Sequence, residues 1–385
     1  MQFDPYSEAF FEDATEIYRW LRDEAPVYHN EERGFWALSR YDDVLHAQRD
    51  WKTFSSTHGV SLDDLVVPGP SVANNMIVMD PPDHDRLRVL VSRAFTPRAI
   101  SAFEPLVRAV EEKYLDRLDG APEFDIVADF AAPFPVEVIS AVLGVPDDER
   151  RQQIRHWTDE MLHREPGRPA PPRAAMEAAM SLGACFYELA QHVRVHPGDN
   201  MMSALVEASL DDVEVANFSV LLAAAGSETV TKLIGSGVVL FARNPDQWRK
   251  VLDDPAAIPG AVEEVLRYLP PAQYQGRYTV ADAVFEGGTI PAESPVLLLT
   301  GAATRDERAY DRPDEFDITR EHHIALGFGH GAHACIGAHL ARLESRVAFE
   351  EIRKRWPAFS VDEAGLRRVT MSNVAGYVNV PVAVS

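Results

Sequence analysis

A helical run extends from residue 213 to residue 243 and is closed by Asn244-Pro245. At about 1.5 Å per residue, a helix of that length crosses a whole domain. The chain therefore has to fold as a large, mainly helical body around it. Leu106, Val110 and Leu115 mark a second amphipathic helix, and residues 177–195 a third. β-like runs occupy Phe35–Leu38, residues 277–299 around Gly287-Gly288 and Pro291, and residues 378–384. The pattern predicts one mostly α domain over residues 1–385 with a small β region. Its β-rich parts fall near 25–40, 277–300 and 360–385. Residues 163–175 hold four prolines in thirteen positions. They read as a connector, either a plain surface loop or a mobile lid.

Charge narrows the function classes. The 37 basic and 60 acidic residues give a net charge of −23. That balance argues against nucleic-acid binding, which needs a basic face, and against an anionic membrane surface. No window approaches ~20 apolar residues. The start, Met1-Gln2-Phe3-Asp4-Pro5, lacks the basic and apolar regions of a secretory signal. A cytoplasmic protein is expected, and in a reducing compartment its two cysteines predict no disulfide. Cys185 lies in an apolar helical stretch and reads as a small core residue.

Cys335 differs. It sits in Phe328-Gly329-His330-Gly331-Ala332-His333-Ala334-Cys335-Ile336-Gly337, where three glycines allow tight turns and close approach to a flat partner. Ile336, Leu340, Leu343 and Val347 then repeat at helical spacing, placing Cys335 at a helix N-terminus. The partial positive charge there favours a thiolate, the form that binds iron. Taken alone, the loop also admits a zinc site on His330, His333 and Cys335, a cysteine nucleophile, or a structural turn.

Other sites have both plain and functional readings. Gly226 lies mid-helix in Ala224-Ala225-Gly226-Ser227-Glu228-Thr229, where glycine costs about 1 kcal/mol relative to alanine. Helix packing could explain it. So could space for a planar group, with the acid and hydroxyl beside it relaying protons. Glu264 and Arg267 stand three apart, as an ordinary helix pair would. His84 and Arg88 share a helical face.

Phe328, Gly329, Gly331, His333, Cys335 and Gly337 fit the pattern FGxGxHxCxG, and on these positions the chain resembles the cytochrome P450 family. The resemblance implies a P450-like fold, with heme b between the long central helix and the cysteine-loop helix. Cys335 is then the iron's axial ligand, His333 a propionate partner, and Phe328 a neighbour of the sulfur. Ala225, Gly226, Glu228 and Thr229 resemble the oxygen-binding segment, with Thr229 helping to hold dioxygen and Glu228 delivering protons. Val230 stands where many relatives carry another hydroxyl. Glu264 and Arg267 match the structural ExxR motif. Its usual partner arginine is replaced in Pro313-Asp314-Glu315-Phe316 by Glu315, and the role passes to Arg320. His84, Arg88 and Arg277 match further propionate cations.

The implied enzyme is a monomeric monooxygenase. It draws electrons from NAD(P)H through ferredoxin reductase and ferredoxin, docked on a basic patch of Arg86, Arg93, Arg98, Arg342 and Arg346. Its substrate is small and hydrophobic, a natural product or steroid, with hydroxylation or epoxidation as the default reaction. Residues 58–79, residues 163–175, the chain after Tyr268 and the turn at residues 374–377 would line the pocket, with Met76, Ile77, Val78, Met79 and Leu222 as apolar wall. The alternatives are a peroxide-driven peroxygenase and a non-catalytic heme sensor.

Overall fold

The computed structural model describes every residue except 72–74, 166, 167, 169, 322, 323, 372 and 385, together with all side chains outside these but that of Arg93. Eight helices carry the site: α1 (Asp83–Ser92), α2 (Glu104–Leu115), α3 (Pro133–Leu143), α4 (Asp148–Leu162), α5 (Arg173–Val195), α6 (Asp212–Arg243), α7 (Ile258–Tyr268) and α8 (Ala338–Arg355). α6 is the long run. It opens with a reciprocal cap: the Glu214 amide donates to the Asp211 side chain, and the Asp211 amide to the Glu214 side chain. Pro245 ends α6 and also begins the next helix, Pro245–Asp253, at a position where its missing N–H costs nothing.

α6 runs through the main core and packs against α3, α4, α5, α7 and α8. Its approach to α8 depends on Gly237. A Cβ there would lie 2.3 Å from Cζ of Phe349, so only glycine admits the ring. Gly226 is different. A Cβ at that position meets Ile139 at an ordinary 3.6 Å, so helix packing does not require the glycine.

Among the described residues twelve short strands form four sheets: β1 (Val27–Asn30), β2 (Phe35–Leu38), β3 (Phe54–Ser55), β4 (Glu123–Asp125), β5 (Gln275–Thr279), β6 (Ala283–Phe285), β7 (Gly288–Ile290), β8 (Pro295–Leu298), β9 (Phe359–Val361), β10 (Arg367–Arg368), β11 (Tyr377–Asn379) and β12 (Pro381–Val384). A five-stranded sheet has the order β1-β2-β8-β5-β3, with β2 and β8 parallel and the other pairs antiparallel. It joins the N-terminal region to the segment that precedes the cysteine loop. A second sheet has the order β4-β12-β9, and β6-β7 and β10-β11 are two-stranded. The mostly α architecture with a small β region matches the sequence expectation.

The boundaries moved in three places. Residues 173–175 belong to α5, so the proline-rich connector is shorter than its composition suggests. The helix after the cysteine begins at Ala338, with Gly337 as its cap, rather than at Cys335 itself. β3 and β4 lie outside the expected β-rich parts. At two and three residues they are too short for alternation to register, and their sheet partners alone define them. No single helix among the described residues is long and apolar enough to span a membrane.

Candidate functional site

The cysteine loop is built from two 3-10 turns, Leu326–Phe328 and Gly331–His333. Gly331 has φ +74°, and a Cβ on it would meet the Gln48 carbonyl oxygen at 2.3 Å, so both conformation and space demand glycine. The Cys335 amide donates to the Phe328 carbonyl at 2.8 Å. From α1, Arg88 Nη2 donates to the Ala334 carbonyl at 2.7 Å and pins the loop beside the cysteine. The Arg342 guanidinium lies 4.4 Å from the Phe328 ring centre.

The Cys335 thiol is pushed up by its apolar surroundings, while the Gly337 amide and the guanidiniums of Arg88 and Arg342 favour the thiolate. Gly337 gives α8 no side-chain cap, so the positive end of that helix faces the loop. Although it lies in the interior of the fold, Cys335 is exposed.

Behind the loop stands a cluster of nitrogen bases and cations. His84 and His333 lie with ring centres 4.5 Å apart. His84 is buried. Its Nδ1 meets Asp85 at 3.0 Å, and its Nε2 has no hydrogen-bond partner among the described residues. His333 Nε2 lies 3.2 Å from the Ser56 hydroxyl. Burial, with Arg277, His84 and Arg88 close by, drives the His333 imidazole down to about 3. Arg277, on β5, is 4% exposed and donates Nη1 to the Gly276 carbonyl at 2.7 Å. Burial lowers it to about 10, opposed by Asp80. Asp80 is itself occupied by the Ser55 hydroxyl at 2.6 Å and the Ser56 amide at 2.9 Å.

A buried guanidinium with no carboxylate in direct contact among the described residues, beside an orphaned imidazole nitrogen, is costly unless an anion completes it. The two carboxylates of a heme are such an anion, and an open thiol beside them is the donor that heme iron takes. The residues present therefore fit a heme. They do not fit zinc: among the described residues no group of three or more His, Cys, Asp or Glu side chains is arranged to hold a metal ion.

On α6, Ala225 is exposed although Leu222, Ala223, Ser227 and Glu228 around it are buried. Thr229 Oγ1 donates to the Ala225 carbonyl at 2.8 Å, which leaves the hydroxyl oxygen free to accept. Glu228 points away from solvent and meets Lys232 Nζ at 2.9 Å, both side chains being 6% exposed. The Glu264–Arg267 pair is also buried, with two parallel contacts of 2.8 Å. Arg267 also donates to the carbonyls of Thr304, Pro313 and Glu315. Arg320 Nε meets Glu264 at 3.4 Å and donates Nη2 to the carbonyls of Arg312 and Glu315. This core of charge fixes the segment leading into the cysteine loop, a role that an exposed helix pair could not have.

The four segments expected over the pocket are tied in two pairs where described. Arg164 donates its amide to the Thr370 carbonyl at 3.0 Å and pairs with Asp63 at 2.6 Å. Ala272 bridges Val374, and the Ala375 amide donates to Pro271 at 2.9 Å. Residues 72–74, 166, 167 and 169 of these segments lie outside the described residues. Of the apolar wall, Met76, Val78 and Leu222 are buried, and Ile77 and Met79 partly so.

The basic patch is corrected. Arg342 pairs with Glu263, and Arg346 with Glu104 and Glu350. Arg86 pairs with Glu214 at the start of α6. Arg98 is exposed, and the Arg93 side chain lies outside the described residues. The surface is mixed in charge because an acid-rich chain sets glutamates among those arginines. Arg342 and Arg346 line a hollow of about 220 Å³ with Ile100, Val262 and Leu343. The sequence reading missed Ser56 and Lys232, since single residues of this kind carry no spacing signal.

The cytochrome P450 family model matches residues 257–363. The chain is 43% identical to cytochrome P450 123 of Mycobacterium tuberculosis, over 99% of this chain and 96% of that one. It is 39% identical to erythromycin C-12 hydroxylase of Saccharopolyspora erythraea, over 91% and 89%. The structure of open cytochrome P450 EryK from S. erythraea superposes with a TM-score of 0.89 at 36% identity, covering 98% of this chain and 96% of that one.

Proposed function

We propose, because this chain belongs to the cytochrome P450 family and is a monooxygenase of that family, that it inserts one oxygen atom from dioxygen into a small hydrophobic molecule. Electrons come from NAD(P)H through a ferredoxin reductase and a ferredoxin. Hydroxylation of a natural product or steroid is the default reaction, in line with the hydroxylase among its relatives.

Heme, when bound, supplies the redox chemistry that splits dioxygen and delivers one oxygen atom to the substrate. Cys335 would hold its iron through sulfur, with the Gly337 amide and the positive end of α8 favouring the thiolate. His84, Arg88, Arg277 and His333 would hold its carboxylates. Phe328, Gly329 and Gly337 shape the loop around the sulfur, and Ala225 and Gly226 keep α6 thin on the opposite face. Glu228 delivers protons. Thr229, whose own proton is engaged by the Ala225 carbonyl, accepts hydrogen bonds beside it. Glu264, Arg267 and Arg320 hold the polypeptide that leads into the loop.

The observation that carries this reading is the buried Arg277 and the His84 nitrogen, neither with a carboxylate partner on that side among the described residues, behind an open thiol. The test is the absorption spectrum of the reduced carbon-monoxide complex. A sulfur ligand places its main band far to the red of a histidine-ligated heme, and Cys335→Ser abolishes that position. A histidine-like spectrum in the unaltered protein would overturn the assignment.

A further inference from the structure

The N-terminal residues take no part in the site described above, yet two of their side chains reach the segments expected to cover the substrate. Phe3, Tyr6, Phe10 and Tyr18 are buried in a separate aromatic cluster with Phe35 of β2 and Leu297 of β8. The ring centres of Phe3 and Phe10 stand 5.6 Å apart, and those of Phe10 and Tyr18 6.0 Å apart. β1 pins the start of the chain: Asn30 Nδ2 donates to the Phe3 carbonyl at 2.8 Å, and the Phe3 amide donates to the Tyr28 hydroxyl at 3.2 Å. Arg33 pairs with Asp4 at 2.6 Å and lies 5.1 Å from the Tyr6 ring centre. A close-packed cluster held in this way is stiff and passes a displacement on.

Both tyrosines donate to a residue that also carries part of the cover. Tyr6 donates its hydroxyl to Oδ1 of Asp63, while Arg164 Nε meets Oδ2 of the same carboxylate at 2.6 Å. Tyr18, on the helix Thr15–Glu24, donates to Gln273 Oε1 at 2.9 Å. The Gln273 side chain donates in turn to the Pro270 carbonyl at 2.6 Å, and its backbone amide to the Asn373 carbonyl at 2.8 Å. Asp63 and Gln273 are thus fixed posts. The turn before Asp63 is held on β5 as well, through the Gly276 amide and the Val60 carbonyl at 2.7 Å. The parts resting on the posts are joined to each other, because the Arg164 amide donates to the Thr370 carbonyl at 3.0 Å. The contacts therefore close into a ring. It runs from Asp63 to Arg164, Thr370, Asn373 and Gln273, and back through Tyr18, the aromatic cluster and Tyr6.

We infer that this ring is a latch on the substrate entrance: the connector and the turn at residues 374–377 open as one unit, and the hydrogen bonds of Tyr6 and Tyr18 set how often they do. The inference rests on the reading of these segments as the cover of the site. Tyr6 and Tyr18 are positioning residues, acting through Asp63 and Gln273. In a closed ring, the opening of one link strains the others, so a change at Tyr6 is felt at Gln273 and a change at Tyr18 at Arg164.

Tyr6→Phe and Tyr18→Phe each remove one hydroxyl and keep the buried ring, so they test the links without emptying the cluster. Hydrogen exchange at the backbone amides of Arg164, Gln273 and Ala375 is followed by mass spectrometry of the heme-loaded protein. In the unaltered protein these amides should exchange well ahead of the α6 amides, through a local opening of their own. Either variant should quicken all three by one common factor, about three- to tenfold. Imidazole should enter and leave the heme by the same factor faster, with its affinity unchanged. Cover amides that exchange only as slowly as those of α6 would overturn the latch, since they would have no opening apart from global unfolding. So would exchange quickened at Arg164 alone in Tyr6→Phe, and at Gln273 and Ala375 alone in Tyr18→Phe. If exchange rises together while the imidazole rates stay as they were, the ring is coupled but the reading of these segments as the cover fails.

Discussion

Arg277 is the single side chain on which the proposed heme site can be tested most directly. The heme-free site must keep a buried guanidinium whose described hydrogen bond is to its neighbour's carbonyl. Arg277→Gln should therefore leave the heme-free protein at least as stable, while heme transfer to a competing acceptor protein quickens by about 10–100-fold through loss of charge-assisted hydrogen bonds. Unchanged transfer would mean that Arg277 does not hold the cofactor. A second buried group gives a pH signature. Glu111 on α2 has both carboxylate oxygens without a hydrogen-bond partner among the described residues, and burial raises it to about 8. Its folded value stands above its unfolded one. The neutral acid thus costs little below about pH 4.5, and stability is lost as pH rises toward about 8. Glu111→Gln should remove that loss, giving an advantage on the order of 3 kcal/mol at alkaline pH and little at acidic pH. Denaturant titrations at both extremes measure it, and parallel stability curves for the two proteins would contradict the buried-acid account.

At the level of the element, α6 combines two kinds of glycine that its sequence does not distinguish. Gly237 is required by contact with Phe349, whereas Gly226 has room for a methyl group. Gly237→Ala should lower stability by about 1–3 kcal/mol through overpacking, despite better helix propensity. Gly226→Ala should raise the stability of the heme-free protein by up to about 1 kcal/mol. In the heme-loaded protein it should weaken ligand binding at the iron, because the added methyl group sits on the segment with the exposed Ala225. Thermal unfolding of the two variants and carbon-monoxide affinity together check the contrast. Equal stability losses at both positions would show that both glycines serve packing alone.

Across the whole molecule, ties between the segments proposed to cover the substrate join residues far apart in sequence. Arg164 links the proline-rich connector to Asp63 in one direction and to Thr370 in the other, and the Arg164–Asp63 pair is largely sheltered from water. Arg164→Ala should loosen that cover. Imidazole should then bind and leave the heme-loaded protein roughly tenfold faster, about 1.4 kcal/mol in barrier height, with little change in affinity. Stopped-flow binding traces measure both rates, and rates equal to those of the unaltered protein would assign the pair to stability only. The mixed charge around Arg342 and Arg346 belongs to this scale too. A partner meeting that surface must match an alternating pattern, so register matters there as well as net attraction.

The sequence by itself determined the long helix, the cysteine loop and the ExxR pair. Each of these is local, a period or a fixed spacing of chemically distinct residues, and periodicity and spacing survive without coordinates. It also determined the resemblance that led to heme, because six loop positions and the distant motifs stand in one order. Tertiary structure decided what acts between segments. Only packing places Ser56 on His333 and the Gly376 turn on Lys232. Only packing separates Gly237 from Gly226, and turns the arginines near α8 into paired charges. Burial and through-space charge are properties of neighbours in space, and a neighbour a hundred residues away leaves no period in the chain. Cys335 spans both levels: its spacing named the residue, and the fold supplied the buried cations, amide and open face that give its sulfur something to do.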